Sequence, residues 1–125
     1  MPHLSQLTAV VIDVPAEVHD AETEFWGAAS GHPLRSSSHD EFHGARVAPD
    51  LVLLVQRLGT GSPAVHVDIH TDDVAAEVAR LEGLGATVGE RFEDWTVMID
   101  PAGLRFCVVH APEGTLDPST ASRWP

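Results

Sequence analysis

The chain reads as one pattern written twice. Shifted by 56 positions against itself, it lays Val18 on Val74, Phe25 on Leu81 and Ala28 on Leu84. Each residue falls in an apolar stripe of helical spacing. Each stripe follows a β-branched run, "TAVVIDV" (Thr8 to Val14) before the first and "AVHVDIH" (Ala64 to His70) before the second. Such a period marks two copies of one supersecondary unit, a strand, a helix and three strands, each needing the other to bury its sheet. With 125 residues the chain is long enough for one domain with its own core.

The elements follow from local chemistry. Pro15 suits a first helical turn, the stripe Val18, Ala21, Phe25 and Ala28 predicts the helix, and Gly31 with Pro33 stops it. Residues 34–49 are polar and Ser-rich and hold weak strands at most. "LVLLVQRL" (Leu51 to Leu58) is a strong strand closed by "GTGSP". Asp72 and Asp73 suit the positive end of a second helix, whose stripe is Val74, Val78, Leu81 and Leu84 and whose stop is Gly85. "ATVGER" and "DWTVMID" read as strands, "DPAG" (Asp100 to Gly103) as a turn, and "LRFCVVH" as the last strand. Domain residues 1–110 thus divide into modules 8–58 and 64–110. A Pro- and Ser-containing tail, 111–125, is expected to run unpacked over the surface, with Trp124 as its one candidate tether.

Composition narrows the function. All seven cationic residues are Arg, and nineteen acids leave a net charge of −12. Such a surface repels phosphate backbones and anionic lipid, which argues against nucleic acid and membranes as partners. No segment has the charge and hydropathy pattern of a secretion signal or a bilayer span. The single cysteine, Cys107, excludes an internal disulfide and fits a reducing, cytoplasmic location.

"VVIDVPA" and "AETEFWGAASG" at the front, "HVDIHTDDVAAEVARLEGLGA", and "WTVMIDPAGLRFCVV" together resemble the vicinal oxygen chelate superfamily, which includes glyoxalase I, extradiol dioxygenases and bleomycin-resistance proteins. The likeness runs from Thr8 to about His110 and is strongest to the glyoxalase-like branch. It implies an α+β fold of two tandem βαβββ modules whose mixed sheets curl into a cup, with the helices on the outer face. It also implies a small-molecule ligand in the cup, a divalent metal in many members, and a homodimer.

Alternation tests which side chains would line such a cup. Val65, Val67 and Ile69 share one face of their strand, and His66, Asp68 and His70 the other. Leu104, Phe106 and Val108 alternate likewise with Arg105 and Cys107. Leu51, Leu53 and Val55 alternate with Val52, Leu54 and Gln56. Packing the apolar sets beneath the helices leaves His66, Asp68, His70, Arg105, Cys107 and Gln56 on the concave face.

The resemblance places metal ligands on the first and last strand of each module. Residue by residue these positions hold His66, then Cys107 where the family usually has Glu, then Gln56. The first strand supplies Ala9 or Val10, neither of which can ligate. One His, one Cys and one Gln make a weak set for nickel, iron or manganese, although thiolate and imidazole suit an open zinc site. The sequence therefore favours a cup without a metal, with zinc, nickel, manganese or iron as the alternative.

His66 and Asp68 read either as an acid–base pair or as polar residues hydrogen-bonded in a wet cavity. Arg105 reads as a clamp for a carboxylate or enolate, or as a solvated strand residue. Gln56, His70, Trp26 and Trp95 are candidate ligand contacts, the tryptophans equally core or dimer residues. "HDEFH" (His39 to His43) lacks the Glu of a zinc-protease helix, since Asp40 holds that place, and reads as a loop or edge strand. The resulting expectation is a glyoxalase-like protein that acts on or binds a small oxygenated metabolite, with lyase or isomerase chemistry if it is an enzyme. Catalysis would then rest on His66, Asp68 and Arg105. The alternative is a non-catalytic, bleomycin-resistance-type protein whose acidic cup, with Asp68 and Asp13, sequesters a cationic ligand. Dioxygenase chemistry ranks third, because only His66 falls in register.

Overall fold

The computed structural model describes residues 1–37 and 41–125. His39 and Asp40 of the "HDEFH" stretch lie outside the described residues. The chain is α+β. In order, its elements are β1 (His3–Pro15), a 3₁₀ turn (Ala16–Val18), α1 (His19–Ser30), β2 (Arg35–Ser36), β3 (Phe42–Ala48) and β4 (Leu51–Leu58). There follow β5 (Ala64–Thr71), α2 (Val74–Gly83), β6 (Thr87–Arg91), β7 (Trp95–Ile99), β8 (Arg105–His110) and β9 (Ser122–Trp124). Parallel and antiparallel pairings are mixed. No helix is long and apolar enough to cross a membrane. Cα packing divides the chain into two compact units, Ala9–His66, and Met1–Thr8 with Val67–Pro125.

In the unit Ala9–His66, β1 runs parallel to β4 with Asp13 opposite Gln56, β3 pairs antiparallel to β4, and β2 to β3. Ile12, Val14 and Val55 form its core, with Trp26, Leu34 and Leu53 packed against them. Gly44 permits the close β3–β4 pairing. A Cβ there would stand 2.9 Å from the Leu53 carbonyl oxygen and overlap the Leu54 side chain. Gly31, at φ 76°, ends α1 as its position in the sequence predicts.

The inward stripe of α1 differs from the expected one. Phe25 is 59% exposed and Val18 42%, whereas His19 and Gly27 are buried and Trp26 reaches the core. The cause is the 3₁₀ turn over Ala16–Val18. Its three-residue period delays the α-helix until His19 and rotates the buried face by one residue.

In the other unit, β5 lies parallel to β8, and β7 and β6 follow as antiparallel neighbours. Val78, Leu81, Ala86, Met98, Phe106 and Val108 are buried together, with Val67, Ile69, Val74 and Val88 against them. Of the expected α2 stripe, Leu84 alone turns out to solvent. The helix is capped by Asp73, whose carboxylate accepts from the Ala76 N–H at 3.0 Å.

The tail does not run unpacked. Its last strand, β9, pairs with His3–Ser5 of β1, and the Trp124 indole N–H donates to Ser5 Oγ at 2.9 Å. The Arg80 guanidinium lies 3.8 Å over the Trp124 ring. Beneath this, the wholly buried Glu77 carboxylate accepts from Arg80 Nε and Nη2 and from His3 Nε2, each at 2.8 Å.

Candidate functional site

The unit Ala9–His66 carries a polar row on the sheet face turned away from α1. Asp13, Gln56 and Phe42 lie opposite one another on β1, β4 and β3, while the neighbouring Ile12, Val14 and Val55 turn to the core beneath the helix. Asp13 Oδ2 sits 2.6 Å from His66 Nδ1, and both side chains are largely shielded from water. A carboxylate only accepts hydrogen bonds, so Nδ1 carries the proton and donates it. That fixes the tautomer and puts the imidazole lone pair on Nε2, the arrangement of an oriented base or ligand. The other carboxylate oxygen, Asp13 Oδ1, is buried with no hydrogen-bond partner among the described residues.

Asp13 is a candidate that the sequence offers only as acidic charge, while the family pattern points to Ala9 or Val10 on the first strand. The β1–β4 register shows that the residue level with Gln56 is Asp13, and that Ala9 stands opposite Val52. The available signal was an acid set alone in the apolar run "VVIDV".

The unit with Val67–Pro125 presents its own rows. His70, Val109 and Trp95 stand level on β5, β8 and β7, as do Asp68, Cys107 and Val97. All face away from the Phe106 and Val108 side, which packs with α2. Burial lowers the His70 pKa from its ordinary value, and the Asp68 charge offsets part of that shift. Trp95 stacks on Phe92 with ring centroids 4.4 Å apart, and both stay partly exposed. Arg105 opens β8 opposite Ile99 and is exposed.

Trp26 is set differently. Its ring packs on the core side of the sheet, and its indole N–H donates to Glu22 Oε2 at 3.1 Å, so it serves α1 and not the Asp13–Gln56 face. A groove of about 600 Å³ beside α2, lined in part by Met1, His3, Arg80, Leu84 and Trp124, is also removed from these rows. Its His3 and Arg80 side chains are bound to Glu77, and its Trp124 indole to Ser5.

Donor chemistry allows a metal. His66 precedes Asp68 by two residues on one strand, and Asp68 stands opposite Cys107. Carboxylate and thiolate are donor kinds that zinc accepts, and Asp68 and Cys107 supply them in the unit with Val67–Pro125, while the imidazole of His66 and the Gln56 amide lie in the unit Ala9–His66.

A family model described as the glyoxalase-like domain matches residues 9–109. No curated protein matches the chain in sequence. Among solved structures, it is similar to the NAD-dependent benzaldehyde dehydrogenase from Legionella pneumophila. The TM-score is 0.61 and the identity 11%, over 81% of this chain and 97% of that one. A glyoxalase/bleomycin resistance protein/dioxygenase superfamily member from Vibrio splendidus 12B01 gives a TM-score of 0.54 at 14% identity, over 85% of this chain and all of that one. The 2,2',3-trihydroxybiphenyl 1,2-dioxygenase from Sphingomonas wittichii strain RW1 gives 0.56 at 13% identity, over 93% of this chain but only 44% of that one. At such identities the likeness is one of fold alone.

Proposed function

Because the chain belongs to the glyoxalase-like domain family, we propose that it takes up a small oxygenated molecule at the Asp13–His66 pair and, as an enzyme, moves a proton there in a lyase- or isomerase-type reaction. The observation that carries this reading is the 2.6 Å contact between His66 Nδ1 and Asp13 Oδ2. Asp13 holds the ring in one tautomer and stabilises the imidazolium that forms when Nε2 accepts a proton. Gln56 would contact the ligand from beside Asp13. In the unit with Val67–Pro125, Arg105, exposed at the start of β8, with Asp68, His70 and Trp95, would offer a second ligand-contacting surface suited to a carboxylate or enolate oxygen. A divalent ion, when bound by Asp68 and Cys107 of the unit with Val67–Pro125, would polarise a ligand oxygen there.

His66→Ala tests this reading. Turnover of α-hydroxycarbonyl and related small substrates is expected to fall by about 10²–10⁴-fold, with far-UV and near-UV circular dichroism unchanged. Equal turnover in the variant would sink the proposal. The second reading, a non-catalytic sequestering protein, is favoured by the buried, unpartnered Asp13 Oδ1, which suits a cationic or hydrogen-bond-donating ligand. It predicts ligand-dependent thermal stabilisation with no product. Both readings include a cytoplasmic homodimer as the working form.

A further inference from the structure

Two histidines stand on the helix side of the unit Ala9–His66, away from the Asp13–Gln56 face. His19 is the first residue of α1 and is 3% exposed. His43, on β3, lies level with Val55, whose side chain is fully buried in the core beneath α1, so both point to the helix side. The two rings meet edge to face, with centroids 5.0 Å apart and planes at 64°. His19 Nε2 and His43 Nδ1 are both buried, and neither has a hydrogen-bond partner among the described residues. Asp20 Oδ1 lies 3.7 Å from the other nitrogen of His19, Nδ1.

A buried polar nitrogen left unmatched is costly, and two on touching rings call for a common partner. We propose that His19 and His43 bind a first-row divalent transition metal ion, zinc being the one to test, with water completing its coordination. Imidazole nitrogens select zinc, copper and nickel over magnesium or calcium, whose preferred donors are oxygens. The site does not use His66 and is independent of the function proposed above.

The test is equilibrium dialysis of the full-length chain against zinc in a His66→Ala background. One equivalent should stay bound. Adding His19→Gln or His43→Gln should weaken that binding on the order of tenfold or more. Ring ¹H–¹⁵N correlation spectra of the unaltered chain give a reading that needs no variant, since zinc should shift the His19 and His43 ring nitrogens. Absence of bound zinc in the His66→Ala chain, undiminished binding in both double variants, or unmoved His19 and His43 ring signals would each overturn the site.

Discussion

Asp13 changes what His66 can do. Alone on a half-buried strand, an imidazole exchanges between two tautomers; tied at 2.6 Å to a carboxylate, it holds one. Asp13→Asn offers an amide in place of the charge, so the ¹⁵N ring shifts of His66 should move from protonated Nδ1 toward a mixture. Unchanged shifts would show that another group sets the tautomer. His70 makes a different prediction. Burial lowers its folded pKa below the unfolded value near 6.5, so the folded state binds fewer protons than the unfolded chain in that interval. Stability is therefore complete above about pH 6.5 and declines as the pH falls toward the folded value. Denaturant unfolding between pH 5 and 8 should show this slope, and His70→Gln should flatten it.

At the scale of elements, periodicity made the strands legible, because apolar alternation is imposed by a sheet with one face on a helix. Phe106 and Val108 on one side of β8, with Cys107 on the other, came straight from that rule. The face of α1 did not, because a 3₁₀ turn ahead of it shifts the phase and leaves no apolar signature of its own. Pairing register was equally hidden, since which residue faces Gln56 depends on β1 meeting β4, and no local pattern encodes that. The tail's polar composition hides the β9 pairing, although Trp124, the tether the sequence offers, makes three contacts. Deleting Ser122–Pro125 removes the β9 pairing, the Trp124–Ser5 hydrogen bond and the Arg80 stacking. Summed, these losses should lower stability by roughly 2 kcal/mol or more, measured as a reduced denaturation midpoint. An unaltered midpoint would mean that β9 is only laid against the surface.

For the whole molecule, the family was readable from a few turn and strand motifs, but nothing in 125 residues spells out a ligand. Charge and exposure bear instead on association. Phe25, Val65, Leu84 and Leu104 are each more than half exposed, apolar area that a second chain would cover. The proposed homodimer should give a light-scattering mass of twice 13.4 kDa at micromolar concentration. A mass of one chain would refute it. The strong net negative charge makes that association salt-dependent, tightening as ionic strength rises.

The pairing of His3 with Trp124 has a consequence for synthesis on the ribosome. Residues 1–8 belong to the unit that also needs Val67–Pro125, and the Ser5–Trp124 hydrogen bond closes across 119 positions. The stretch Ala9–His66 has all its own partners as soon as β5 begins to leave the exit tunnel. Residues 3–5 must instead wait for their β-strand partner until Ser122–Trp124 have been made. The slow, aggregation-exposed interval in folding thus belongs to residues 1–8, made well before the strand they pair with.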